Sequence, residues 1–156
     1  TPDIMTLAKA LCSGIAGGAM VAKREIASSL RPGMHAATFG GNPIAARAGI
    51  ATLETIANEN LLDSALQLEK VFRKRFEAFR AECELVRDVR VAGVMIGVEL
   101  AVDGAPVVKK CMERKLLINC THNTVIRLLP AMNLSIEQAE EGCDVLIQAI
   151  KEVVGG

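Results

Sequence analysis

Thr6-Leu7-Ala8-Lys9-Ala10-Leu11 runs into the glycine-rich turn Ser13-Gly14-Ile15-Ala16-Gly17-Gly18-Ala19-Met20. A lone lysine closing an apolar run is costly to bury, because burial disfavours the ammonium and lowers its pKa. An amine in that state is a nucleophile able to condense with an aldehyde. The residues alone leave a second reading open: a lysine at a strand end whose stem packs while its head reaches water.

A second stretch follows about thirty residues on, His35-Ala36-Ala37-Thr38-Phe39-Gly40-Gly41-Asn42-Pro43. It reads as a loop feeding a helix. Asn42 suits the N-cap and Pro43 the first helical position. Gly40 and Gly41 let another group approach closely. Thr38 offers a hydroxyl beside that opening, suited to an anion such as phosphate. An ordinary capped helix with a tight entry would read the same way. Near the C-terminus, Arg127 is the one charge among Val125, Ile126, Leu128 and Leu129. A guanidinium in such a run needs a carboxylate or several carbonyls. Its planar fork suits bidentate carboxylate binding, with an internally paired arginine as the alternative.

Composition bounds the class. The 156 residues are 51% apolar and only 3% aromatic, enough for one good core. Eighteen basic and eighteen acidic residues cancel, and no charge run points to nucleic acid or a membrane surface. No apolar stretch reaches membrane-spanning length and no signal peptide is visible. The chain starts at Thr1, so processing or a longer parent protein is expected. Cys12, Cys83, Cys111, Cys120 and Cys143 are scattered and odd in number, without metal-ligand spacing. No metal site is expected. Free thiols in a reducing compartment, and hence a cytoplasmic location, fit best.

Periodicity supplies the elements. Residues 4–9 and 18–22 read as short strands, and Lys23 to Leu30 as a short helix. A helix over Pro43 to about Asn58 would carry Ile44, Ala48, Ala51 and Thr52 on one stripe. Leu61, Ala65, Leu68, Phe72, Phe76, Phe79 and Cys83 recur at steps of three and four, a core stripe of a longer helix. Its basic residues alternate with Glu69, Glu77 and Glu82, predicting helix-spaced ion pairs. After Glu84 the pattern turns to strands at Leu85–Ala92 and Val94–Leu100. A helix over Val107–Lys115 follows, then strands at Leu116–Cys120 and Val125–Leu129. Ser135 and Gln138 form a capping box opening a last helix with Ile136, Ala139, Cys143, Leu146, Ile150 and Val153 inward. The expected boundary separates residues 1–84 from 85–156. His35, His122 and Glu99 receive no catalytic role; Glu99 is expected to partner a basic residue.

Thr1 to Leu11, Gly18-Ala19-Met20 and His35 to Pro43 together resemble the class III pyridoxal-phosphate aminotransferases. Leu116-Leu117-Ile118-Asn119-Cys120-Thr121 and Val125-Ile126-Arg127-Leu128-Leu129-Pro130 resemble the acetylornithine branch of that class. The resemblance implies an α/β fold: the C-terminal portion of a fold-type I transferase. Residues 1–84 would then end the large cofactor-binding domain, and residues 85–156 would be the small α+β domain. It implies that Lys9 condenses with pyridoxal 5'-phosphate and then serves as proton shuttle. Thr38 would contact the cofactor phosphate of a neighbouring subunit, in a homodimer with shared active sites. Arg127 would bind the substrate α-carboxylate. Ala37 would line the substrate pocket, at a position that often bears a hydroxyl and here has none. The implied reaction moves an amino group between N-acetylornithine and 2-oxoglutarate, in arginine biosynthesis. Ornithine, γ-aminobutyrate or succinyl-diaminopimelate remain alternative donors, and a non-catalytic truncated module a different class of function. The carboxylate for the pyridine nitrogen, the ring stack and the phosphate loop are expected upstream of Thr1. The fragment alone is therefore expected to be inactive.

Overall fold

The computed structural model describes residues Thr1–Val154. Packing divides the chain into two units, one from Thr1 to Glu59 and one from Asn60 onward.

In the first unit β1 (Ile4–Leu7) pairs antiparallel with β2 (Ala19–Ala22), with Ile4 opposite Ala22 and Leu7 opposite Ala19. The strand expected to reach Lys9 stops at Leu7. Lys9 has a φ of +61°, outside the extended region, and opens a 3-10 turn over Lys9–Cys12. The turn closes on Cys12, and a Cβ on Gly17 would collide with the Cys12 Sγ, so only glycine fits there. Helix α1 is a single turn, Arg24–Ala27, shorter than expected. The Ser28 and Ser29 hydroxyls donate back to the carbonyls of Glu25 and Ile26 at 2.8 Å and compete with continuation. Helix α2 (Pro43–Asn58) begins as the sequence predicts: the Asn42 Oδ1 accepts from the Ile44 N–H at 2.9 Å and the Ala45 N–H at 3.4 Å. Its inner stripe differs from expectation. Ile44 and Ala51 are exposed, whereas Ala45, Ala48, Gly49, Thr52 and Ile56 are covered or half-covered. α2 packs on the 3-10 turn through the face that carries Gly49, where even an added Cβ would make ordinary contacts with the Cys12 Sγ at 3.5 Å and the Leu11 carbonyl at 3.8 Å.

The second unit is a four-stranded antiparallel sheet covered by helices. Its elements are α3 (Leu61–Glu82), β3 (Val86–Ala92), β4 (Met95–Leu100), α4 (Ala105–Glu113), β5 (Asn119–Thr121), β6 (Val125–Leu128) and α5 (Ile136–Val154). Strand order is β3-β4-β6-β5. Alternation sends Val89, Val91, Ile96, Val98, Leu100, Ile126 and Leu128 inward. They meet Leu68, Phe72, Phe76 and Phe79 of α3, Val107 and Cys111 of α4, and Cys143, Leu146 and Ile150 of α5. The division of packing precedes α3, and the phenylalanine stripe of α3 enters the same core as the sheet.

Strand β5 also departs from expectation, beginning at Asn119 rather than Leu116. Lys115 adopts a φ of +64°, and the Leu116 N–H closes on the Cys111 carbonyl at 2.9 Å, so residues 116–118 finish the link from α4. The capping box forms: Ser135 and Gln138 exchange N–H to side-chain bonds, both 3.2 Å. The predicted ion pairs on α3 are present as Arg73–Glu69 and Arg80–Glu77. Glu69 does more than pair. Its Oε2 accepts from the Gly93 N–H at 2.6 Å, tying α3 to the turn between β3 and β4. Its Oε1 accepts from Arg73 at 2.8 Å, and Arg73 also donates to the Val91 carbonyl at 2.5 Å. The Arg73 and Gly93 hydrogen bonds hold the Glu69 carboxyl below its ordinary pKa.

Candidate active site

Lys9, Ala37 and Thr38 belong to the first unit and Arg127 to the second. Lys9 is exposed, unlike a buried lysine at a strand end, and its Nζ has no ion-pair partner among the described residues. Its backbone is fixed in the left-handed region by the 3-10 turn, a conformation that costs a non-glycine residue about 1 kcal/mol. Leu7 and Leu11, on either side of it, line a cavity of about 940 Å³ that Lys9 itself does not line. Ala37, Thr38, Gly40, Gly41 and Asn42 also line that cavity. Phe39, beside Thr38, is 83% exposed, and His35 is exposed as well. In this unit Cys12 is the buried hydrophobic side chain, while Ile4, Met5, Met20, Val21, Leu53 and others face outward.

Arg127 sits on the outer face of the second unit's sheet. Its neighbours in β6, Ile126 and Leu128, point into the core, so two-residue alternation brings the guanidinium out. This resolves the cost that a charge in an apolar run implies. Register lays four residues in one row across the sheet: Arg90 of β3, Gly97 of β4, Arg127 of β6 and Asn119 of β5. The two arginines differ in their partners. Arg90 donates to Asp88 at 2.6 Å and Glu99 at 2.8 Å, which raises its pKa and meets the expectation that Glu99 serves a basic residue. Arg127 has no carboxylate partner among the described residues. Its Nε donates to the Asn119 Oδ1 at 3.1 Å. Gly97 between the two arginines presents no side chain, and even an added Cβ would meet only Val125 at 3.5 Å and the Arg90 Nε at 3.9 Å.

Neither Asn119 nor Gly97 stands out in the sequence by residue type. The signal lies in the hairpin. His122 and Asn123 both adopt positive φ, 51° and 61°, in a three-residue loop of His122, Asn123 and Thr124. With Thr121 opposite Val125 across that loop, Asn119 lies opposite Arg127. His122 itself is exposed in that turn, as expected of a loop histidine.

The profile of the family "Aminotransferase class-III" matches residues 1–150. The chain belongs to the class-III aminotransferases. Acetylornithine aminotransferase of Methanocaldococcus jannaschii is 43% identical over 152 residues, covering 97% of this chain and 37% of that protein. Among solved structures, acetylornithine aminotransferase from Elizabethkingia anophelis superposes with a TM-score of 0.90 at 30% identity, covering 97% of this chain and 39% of the other. Ornithine aminotransferase from Plasmodium yoelii gives 0.92 at 30% identity, covering 97% and 41%. The chain thus spans under two-fifths of the length of the curated relative and shares the α/β fold of the corresponding part of these aminotransferases. Among the described residues of this class-III aminotransferase chain, no helix is long and apolar enough to cross a membrane. Nor does any group of three or more His, Cys, Asp or Glu there suit a metal ion.

Proposed function

We propose that this chain is the lysine-bearing and carboxylate-binding part of an aminotransferase that moves an amino group between N-acetylornithine and 2-oxoglutarate. The observation that carries the reading is the contrast on the outer sheet face. Arg90 is neutralised by two carboxylates, whereas Arg127 keeps the terminal edge of its guanidinium for a carboxylate from outside. Amino donor and oxo-acid acceptor share an α-carboxylate, so one such arginine serves both. The choice of N-acetylornithine rests on the 43% identity to a relative of that name.

The residues of the first unit suit pyridoxal 5'-phosphate, the cofactor the family implies. An exposed primary amine at Lys9 can condense with an aldehyde, and the Thr38 hydroxyl beside Gly40 and Gly41 can donate to a phosphate. When bound, the cofactor would supply an electron sink for the carbanion at the substrate Cα. Lys9 would carry the proton between the Cα and its acceptor carbon. Thr38 would act in trans, on the cofactor of a neighbouring subunit in a homodimer with shared active sites. The outward apolar residues of the first unit support cover by the rest of a longer polypeptide, as a large cofactor-binding domain would supply. The carboxylate for the pyridine nitrogen, the ring stack and the phosphate loop would come from that polypeptide. Cytoplasmic residence is supported by five free thiols.

Ornithine is the second reading, favoured by the TM-score of 0.92 to an ornithine aminotransferase. Steady-state assays of the full-length holoprotein with N-acetylornithine, ornithine, γ-aminobutyrate and succinyl-diaminopimelate test the assignment. N-acetylornithine should give the highest kcat/KM; a wide preference for unacylated ornithine would transfer the assignment to it. Arg127→Ala should raise KM for donor and acceptor alike by at least about tenfold.

A further inference from the structure

We infer that Asn119 is a positioning residue for Arg127, setting the affinity of the site for the carboxylate common to both substrates. The inference rests on the proposed role of Arg127. Asn119 lies directly opposite Arg127 in the β5–β6 register, and its Oδ1 takes the Nε proton at 3.1 Å. That bond consumes the inner side of the guanidinium. The two terminal nitrogens are left as the remaining paired donors, the edge that binds a carboxylate bidentately. On the opposite flank Gly97 offers nothing to hold the arginine. Arg90, the next side chain in that row, is engaged by Asp88 and Glu99. Asn119 is therefore the side chain that fixes how Arg127 turns about its own long, flexible stem. Without it the guanidinium samples rotamers in which its fork does not face the substrate, and the entropy of ordering it falls on binding.

An amide suits this task better than a carboxylate. It accepts the Nε–H without neutralising the charge, so Arg127 keeps its full attraction for an incoming anion, whereas Arg90 does not. Aspartate at position 119 would turn Arg127 into a second Arg90.

The test is kinetic and uses the full-length holoenzyme. Asn119→Ala should raise KM for amino donor and 2-oxo acid by a shared factor of roughly 5 to 20, with kcat changed by less than about twofold. The dissociation constant of 2-oxoglutarate, measured by calorimetry on the pyridoxamine form, should rise in step. Asn119→Asp keeps the shape of the side chain and should raise both KM values as well; a merely structural role on this exposed strand would tolerate it. In an Arg127→Ala background, Asn119→Ala should add nothing to either KM. The inference is overturned if Arg127→Ala raises both KM values while Asn119→Ala and Asn119→Asp leave them unchanged; the role of Arg127 then survives. If Arg127→Ala itself leaves both unchanged, the carboxylate-binding reading fails first and the positioning role goes with it.

Discussion

Lys9 is held by its backbone more than by its side chain. A left-handed residue at the start of a 3-10 turn directs the stem, while the amine stays in water. Borohydride reduction of the full-length holoprotein followed by peptide mapping should place the phosphopyridoxyl label on the peptide containing Lys9. Recovery of the label on another lysine would remove Lys9 from the chemistry. Lys9→Ala should abolish turnover and the visible absorbance of the bound cofactor. The buried thiols make a separate prediction. Burial pushes the Cys111 thiol up to about 11 and the Cys143 thiol up to about 12, above the ordinary value of about 8.5. Since the folded values lie above the unfolded ones, the neutral thiols favour the native state fully at pH below about 8.5. That contribution is lost as pH rises toward 11 and 12. The melting temperature of the protein should fall across this window, and Cys143→Ala should flatten the fall even though it lowers stability at neutral pH. An equally steep fall in Cys143→Ala would show that other groups govern it.

Elements are legible in the sequence wherever a local rule has no competitor. The α3 stripe, the Asn42 cap and the Ser135–Gln138 box follow from side-chain spacing alone, and each is found in the structure. Sequence and structure part where a single backbone angle or a packing contact decides. Lys9 and Lys115 both turn left-handed where their neighbours suggest a strand, shortening β1 and delaying β5. The stripe of α2 differs because Ile44 outweighs Gly49 on any hydrophobicity count, yet the face that meets the 3-10 turn is the one carrying Gly49. Among the candidate residues, Lys9, Thr38 and Arg127 stand out by residue type. Asn119 and Gly97 do not, since their meaning comes from strand register. The start of α2 rests on the Asn42 side chain. Asn42→Ala should cost about 1 kcal/mol in chemical denaturation, through loss of the bonds to Ile44 and Ala45.

For the whole molecule, the two units differ in what holds them. The second unit carries a continuous core from α3 through α5, whereas the first buries little beyond Cys12 and Gly49. A polypeptide of residues 60–156 should therefore unfold cooperatively on its own, and one of residues 1–59 should show no cooperative transition. A sharp thermal transition in the shorter piece would contradict this view of its packing. Phe76 lies fully buried in the second unit with its ring 6.2 Å from that of Phe72. Phe76→Ala should destabilise that unit by about 3 to 5 kcal/mol.

The outer sheet face also has a bearing on how such enzymes diversify. Along β6 the residues that fill the core and the arginine proposed to meet a ligand occupy alternate places in the chain. Substitutions on the outward positions of β4, β5 and β6 can thus alter the surface around Arg127 while Ile126 and Leu128, which face the core, are left in place.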